Sequence, residues 1–115
     1  MNLQKHKPYR NRNMLNTAKD QPCIRCGKVG ETRAAHFNGQ GQHMYGKGRG
    51  QKGSDLMTAE FCQLCDSEFS EGHMPSWIAS IDDCPDEFKQ DIRDAEFHHW
   101  IAMTNIRRIE NGWLG

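Results

Sequence analysis

Four cysteines in two closely spaced pairs are the residues of this sequence with the clearest chemistry. Cys23 and Cys26 form one C-x-x-C pair, Cys62 and Cys65 form the second, and 35 residues (27–61) separate them. Thiolates are soft metal ligands, and two intervening residues let a tight turn present both sulfur atoms to one ion. The spacing therefore predicts a structural zinc ion that ties together the two ends of a longer segment.

The fifth cysteine, Cys84, stands apart from both pairs and is interpreted as a lone, partly buried thiol. The paired spacing of the other four favours reduced thiols on a metal over a disulfide scaffold. No apolar run reaches membrane-spanning length, and no apolar segment follows the basic N-terminus. We therefore expect no association with a membrane and a cytoplasmic location.

His36 is the residue that we interpret as a general base. It ends a predicted strand (31–37) just before the turn signal at Asn38, and a neutral imidazole there can accept a proton from water attacking a phosphodiester. A single histidine is more often structural, so this interpretation depends on its neighbours. The glycine-rich segment that follows carries the cationic side chains expected to contact phosphates, namely Lys47, Arg49 and Lys52.

Asp66 directly follows the last cysteine of the second pair. A carboxylate is the kind of ligand that a hard divalent ion such as magnesium or manganese prefers, and such an ion stabilises the leaving oxyanion in phosphodiester hydrolysis. The competing interpretation makes Asp66 the N-cap of a helix that begins beside the second cysteine pair. The sequence leaves both interpretations open.

The net charge of zero hides an uneven distribution. Residues 1–53 contain eleven Lys or Arg against two Asp or Glu, whereas residues 54–115 contain four against thirteen. Such asymmetry predicts one half that faces a polyanion and one half that faces solvent. Residues 1–13 are expected to form a mobile basic arm, which either contacts phosphates or remains a solvated tail.

The order of these features resembles the HNH endonucleases, and more closely the small YbcO-like nucleases of lambdoid phages and prophages. Residues 23–68 carry most of the resemblance: a C-x-x-C pair, Ala35-His36 at a strand end, a glycine-lysine-aspartate loop, and a C-x-x-C pair that enters a helix. A weaker match reaches the C-terminus, where Met103-Thr104 precedes Asn111-Gly112-Trp113. It implies a ββα-metal core in which His36 is the general base and Asp66 binds a catalytic divalent ion.

The chain departs from the pattern of that family at two positions. Asp66 stands where the family usually has a metal-binding histidine, and Ala35 stands where an aspartate often precedes the general base. Asn38 and Asp55 are both candidates for the middle residue of the HNH signature. These departures fit either a changed metal preference or a descendant that binds DNA without cleaving it.

Helical periodicity appears from Asp86 onward and predicts one bent helix or two helices, ended by Gly112. Adjacent histidines on a helix point in different directions, so we expect one of His98 and His99 to pack and the other to be exposed. The residues that carry the helical period are Phe88, Ile92, Ala95 and His99, followed by Trp100, Met103, Ile106 and Ile109.

The predicted fold class is α+β, with a small zinc-stapled, treble-clef-like HNH core. Two short strands (31–37 and 56–61) flank the long basic loop, and a helix carrying Asp66 and Phe69 begins at the second cysteine pair. With 115 residues, the chain is expected to hold one domain. Its predicted bounds are 14–115, with a core over 22–70 and a C-terminal helical region over 85–112.

The expected function is metal-dependent endonuclease cleavage of DNA, duplex or branched, in the cytoplasm of a host cell where a phage encodes the protein. One alternative is a zinc module that binds DNA or RNA without catalysis. Another is a phage protein that binds a host protein through the acidic C-terminal half. Divalent-dependent cleavage separates the first function from the other two, and the sequence leaves the oligomeric state open, with a dimer among the options.

Overall fold

Two short strands and several helices make up the described part of the chain. The structure, a computed structural model, describes residues 9–39 and 54–113. The elements of these residues are α1 (Arg12–Asn16), a 3₁₀ turn (Thr17–Asp20), β1 (Arg33–His36), β2 (Thr58–Phe61), α2 (Gln63–Glu68), α3 (Ser76–Ala79) and α4 (Asp86–Glu110). These strands and helices confirm the predicted α+β class.

The two strands form an antiparallel sheet. In its register Arg33 lies opposite Phe61, and His36 lies opposite Thr58. Both strands fall inside the predicted segments, and α2 begins at the second cysteine pair as expected. Because side chains alternate along a strand, the buried Ala35 faces the core while His36 projects from the other side of β1.

A cluster of buried aromatic rings fills the space between the sheet and α4. The ring centroid of Phe97, on α4, lies 5.3 Å from that of Phe37, 5.5 Å from that of Phe61 and 5.4 Å from that of Phe69. Cys62 and four further cysteine and alanine residues, Cys23, Ala35, Ala59 and Cys65, belong to the same cluster. The second cysteine pair is therefore part of the wall of the hydrophobic core.

The last helix, α4, is one continuous helix of 25 residues. Its first turn holds Asp86 and Glu87, where negative charge favours a helix start, and Gly112 follows its end with φ +75°. Its buried face carries charged and polar residues beside apolar ones, namely Arg93, Asp94, Phe97, Ile101, Thr104 and Arg108.

Three polar or charged residues of α4 bond to β2. Arg108 donates from Nη2 to Thr58 Oγ1 over 2.8 Å, and Thr104 Oγ1 accepts from the backbone N–H of Glu60 over 3.1 Å. Arg107 pairs with the Glu60 carboxylate. A buried charge without a partner is costly, so these bonds fix the position of α4 on the sheet.

The residues that carry the predicted helical period lie mostly on the outer face of α4. Met103, Ile106 and Ile109 are exposed, as is Phe88 in the first turn. Of the two adjacent histidines, His98 packs against the Phe37 ring, with 4.2 Å between centroids, and His99 is exposed, which confirms the expectation for that pair.

The segment between α2 and α4 and the N-terminal arm are the remaining parts of the described chain. Residues 71–85 contain α3, whose Ile78 is fully buried while Trp77 is half exposed. The predicted arm boundary at residue 13 falls inside α1. Of the helices in the described ranges, none has the length and hydrophobicity that a bilayer span requires.

Candidate metal centre and candidate active site

The four paired cysteines come together at one point. Their sulfur atoms all lie within 4.8 Å of one another, and those of Cys26 and Cys62 are 3.5 Å apart. Tetrahedral coordination with Zn–S bonds of about 2.3 Å places sulfur atoms roughly 3.8 Å apart. Distance and donor chemistry thus both fit a zinc ion held by Cys23, Cys26, Cys62 and Cys65.

Local backbone structure presents each pair. In the first pair, Gly27 donates its N–H to the carbonyl of Cys23 over 2.9 Å, in a left-handed conformation (φ +82°) that suits glycine. The knuckle is tied to the sheet by the N–H of Ile24, which donates to the Glu60 carbonyl over 2.8 Å. In the second pair, Cys62 is the N-cap of α2. The four cysteines therefore join the segment before β1 to the end of β2 and the start of α2.

The pKa values of two of these thiols, Cys23 and Cys65, shift in opposite directions. Burial by itself raises the pKa of Cys23, but hydrogen bonds from three backbone N–H groups outweigh it and lower this pKa to about 7. Burial raises the pKa of Cys65. Cys23 is therefore the more acidic of these two thiols, and binding of a divalent ion, which requires thiolates, would release the protons that remain on the cluster.

Arg25 supports the cysteine cluster from the side. Its Nη1 lies 3.6 Å from Cys65 Sγ and 3.1 Å from Glu68 Oε2, while its Nε donates to Glu96 Oε2 over 2.8 Å. A guanidinium beside thiolates offsets part of their charge. Cys84 is partly buried and its Sγ contacts the carbonyl of Pro85, outside the four-sulfur group.

His36 forms a second site with Asp55. The distance from His36 Nε2 to Asp55 Oδ1 is 2.9 Å, and the Asp55 side chain is 5% exposed. A buried carboxylate bonded to one imidazole nitrogen fixes the orientation of the ring, as in the histidine sites of hydrolases. The pair joins the end of β1 to the turn before β2, although the two residues are 19 positions apart in the chain.

Asp55 is held by the N-terminal segment as well. Its Oδ2 accepts the backbone N–H of Asn11 over 2.7 Å, and Arg10 Nη1 lies 3.3 Å from its Oδ1. Although burial alone would raise the pKa of Asp55, the bonds from Asn11 and His36 and the nearby charges lower it. The carboxylate is therefore ionised near neutral pH, and residues of the predicted arm belong to this site.

Asn38 belongs to a buried polar cluster. Its Nδ2 donates to the carbonyl of Phe69 over 3.0 Å, and its Oδ1 accepts from the buried Arg93. Arg93 Nη1 also donates to Asp94 Oδ1 over 2.9 Å. Asn38 thus anchors the end of β1 to α4, and between the two candidates it is Asp55 that contacts His36.

Gly39→Ala is expected to lower the free energy of unfolding by ~1–3 kcal/mol, an overpacking effect measurable by thermal or urea denaturation. A Cβ at Gly39 would lie under 3.0 Å from the carboxylate atoms of Asp94. The same substitution in an Asp94→Ala background should cost less, because the clashing carboxylate is absent. An equal cost in both backgrounds would assign the effect to another cause.

Asp66 lies in the first turn of α2 rather than at its N-cap, which is Cys62, so the N-cap interpretation is wrong. Burial raises its pKa, and the charge of Arg33, whose Nη1 lies 3.9 Å from Asp66 Oδ2, opposes that rise. Arg33 and His36 are three residues apart on β1, about 10 Å along the strand, and their side chains project to opposite sides. The structure therefore places Asp66 beside Arg33 and does not bring it to His36.

The described ranges contain one group of metal-binding side chains close enough to share an ion, and it is the four cysteines. Neither His36 nor Asp66 belongs to such a group. The predicted phosphate contacts Lys47, Arg49 and Lys52 lie outside the described residues.

Sequence reasoning identified the cysteines and His36 but missed two partners. Asp55 was one of two candidates for the middle HNH residue, and only the fold brings it within hydrogen-bond distance of His36. Arg93 carried no signal, since a charged residue in a helix is usually exposed, whereas here it is 1% exposed.

Comparisons with known proteins leave the family of this chain open. A comparison with protein-family models finds no match. Comparisons with curated proteins and with solved structures also find no match. The function must therefore be argued from the residues and their geometry.

Proposed function

We propose that this protein is an endonuclease that hydrolyses phosphodiester bonds in DNA, with the HNH-like core that its sequence resembles. The observation that carries the proposal is the hydrogen bond of 2.9 Å between His36 Nε2 and the buried Asp55 Oδ1. The order β1, β2, α2 and the four-cysteine group at the ends of this unit are in keeping with a treble-clef-like ββα core.

In the proposed reaction, His36 accepts a proton from the water molecule that attacks the phosphorus atom, the P–O bond to the leaving oxygen breaks, and the leaving oxygen takes a proton from solvent. Asp55 holds the imidazole in a fixed orientation and stabilises the cation that forms when His36 takes the proton. Asp55 is thus the proposed counterpart of the middle HNH residue, whereas Asn38 has a supporting role through Arg93. The zinc ion on the four cysteines is structural in this proposal.

The catalytic ion of this proposal is magnesium or manganese. Asp66 is the residue assigned to it by the resemblance, but Arg33 lies next to that carboxylate and His36 projects from the other side of the sheet. The described residues around Asp66 do not form a ligand group for a second ion. When bound, such an ion would stabilise the charge on the leaving oxygen, so the proposed reaction is divalent-dependent, and none of the described residues is assigned as its ligand.

The contact between Asp66 and Arg33 favours a second candidate function, a zinc module that binds DNA or RNA without cleaving it. A carboxylate paired with Arg33 in place of a metal-binding histidine is what a descendant without catalytic metal would carry. Both candidates share the basic first half of the chain, which has a surplus of nine positive charges over residues 1–53 (eleven minus two).

A nicking assay on supercoiled and branched DNA, with a panel of divalent ions and a chelator control, separates the two functions. The endonuclease proposal expects divalent-dependent conversion of supercoiled to nicked DNA, lost in His36→Ala. Salt-dependent binding to DNA without any cleavage across the ion panel would reject it and select the binding module.

Replacing Lys47, Arg49 and Lys52 together by alanine is expected to weaken binding to all DNA sequences alike. Each lost phosphate contact lowers the slope of log affinity against log salt concentration by about one. Fluorescence anisotropy at several salt concentrations measures both quantities. The matched control is Lys28→Ala, since Lys28 is an exposed cation that pairs with Glu31 beside the first cysteine pair. Unchanged affinity and slope in the folded triple variant would move the DNA surface elsewhere.

A further inference from the structure

The outer face of α4 carries large exposed apolar side chains near both ends, although the inner face already packs on the core. On the outer side, Phe88 is 54% exposed, Ile106 is 48% exposed and Ile109 is 63% exposed. A helix that is apolar on both sides is typically covered on both sides, and exposed apolar stripes of this kind mark interaction surfaces. The inner contacts with Phe37, Phe61 and Phe69 leave this second face without cover among the described residues.

The outer residues follow a strict spacing. From Phe88 to Ile109, they alternate four and three positions apart, through Ile92, Ala95, His99, Ala102 and Ile106. We call these seven residues the seam. Alternate spacings of four and three over three heptads are the pattern by which two helices pair as a coiled coil. The six buried residues of α4 all lie at other positions of the helix, so the seam is not needed for the packing of α4 on the core of the single chain.

The seam has the same order of side-chain sizes from either end. Two large apolar residues stand at each end, and the centre consists of His99 between two alanines, all three exposed. An antiparallel pair of identical helices therefore sets large residues against large residues. The small centre leaves room for His99 near the two-fold axis. Such self-complementarity is the property that a two-fold interface between identical chains requires.

Charges along α4 favour the antiparallel direction. Lys89 flanks one end of the seam and Glu110 flanks the other, so antiparallel pairing brings opposite charges together at both ends. The helix macrodipoles also oppose each other in this arrangement. A polyanion is a poor occupant of this face, because residues 54–115 contain thirteen acidic residues against four basic ones.

We propose that two copies of this chain form a two-fold dimer in which the seam of one α4 packs antiparallel on the seam of the other. The helix from Phe88 to Ile109 spans 22 residues, about 33 Å of contact. One helix pair of that length is a smaller interface than the roughly 800 Å² per partner of stable complexes, so the dimer dissociates on dilution. The proposed dimer follows from the surface of α4 alone and does not rest on the proposed nuclease function.

Sedimentation equilibrium tests the dimer through its mass. The wild-type protein, with zinc present, is expected to shift from the monomer mass of 13.2 kDa toward twice that value as its concentration rises. Ile106→Glu is expected to stay monomeric while keeping the wild-type circular dichroism spectrum and zinc content. The matched control Leu64→Glu, at an apolar residue on α2 that is 66% exposed, should dimerise like the wild type.

Single cysteines in a Cys84→Ser background test the direction of the helices. Under mild oxidation, His99→Cys should form an intermolecular disulfide, because that position lies near the two-fold axis, whereas Ile109→Cys should not. Efficient cross-linking of Ile109→Cys would overturn the antiparallel arrangement. A wild-type protein that remains monomeric up to roughly 200 µM, or an Ile106→Glu variant that still dimerises, would overturn the proposal as a whole.

Discussion

Replacing Cys62 or Cys65 by serine is expected to release zinc and to unfold the protein. Both sulfur atoms are buried, and Cys62 is also the N-cap of α2 and part of the core wall. Structural zinc contributes on the order of 10 kcal/mol or more to small domains, which is comparable to the whole free energy of unfolding of a domain of this size. Metal analysis of the purified protein, together with circular dichroism, measures both losses.

The control for that experiment is Cys84→Ser. Cys84 lies outside the four-sulfur group, so this variant should keep its zinc and its melting temperature. Cys26→Ser is expected to lose less zinc and less stability, because Cys26 is the exposed member of the group and three buried ligands remain. A Cys62→Ser protein that retains one equivalent of zinc and a wild-type melting temperature would show that the cysteines are not the metal ligands.

The cysteine group could be predicted from the sequence because its signal is local. Two residues between cysteines already determine a knuckle, and the alternation around Arg33 and Ala35 already determines a short strand. The long helix is equally local, since Asp86 and Gly112 mark its two ends. The structure confirms the strands, α2 and α4 within a few residues of the predicted bounds.

The packing of the helix could not be predicted, because both faces of α4 carry apolar residues. The residues of the periodic apolar pattern lie mostly on the exposed outer face of α4. The inner face contains Arg93 and Arg108, which bond to buried partners on distant segments of the chain. Propensity and periodicity do not report such long-range partners. The same holds for His36 and Asp55, whose contact depends on how the chain returns from β1 to β2.

His36→Ala is expected to reduce DNA cleavage by ~10²–10⁴-fold while zinc content, melting temperature and DNA affinity remain near wild type. The loss is confined to the chemical step because a general base acts on the attacking water, whereas phosphate contacts persist in the ground state. Single-turnover cleavage of a supercoiled plasmid, at saturating enzyme, separates this step from binding. His73→Ala, at an exposed histidine between α2 and α3, is the matched control and should cleave at the wild-type rate.

Asp55 variants test whether the carboxylate orients His36. Asp55→Asn keeps a hydrogen-bonding side chain but removes the charge that stabilises a protonated His36, so it is expected to lower the cleavage rate with a smaller loss of stability than Asp55→Ala. The alanine variant also leaves the N–H of Asn11 without its acceptor, which costs ~1–3 kcal/mol. Because both substitutions act through His36, neither should slow cleavage further in a His36→Ala background. A His36→Ala protein that cleaves as fast as the wild type would refute the general-base role of His36, and with it the nuclease mechanism built on the His36–Asp55 pair.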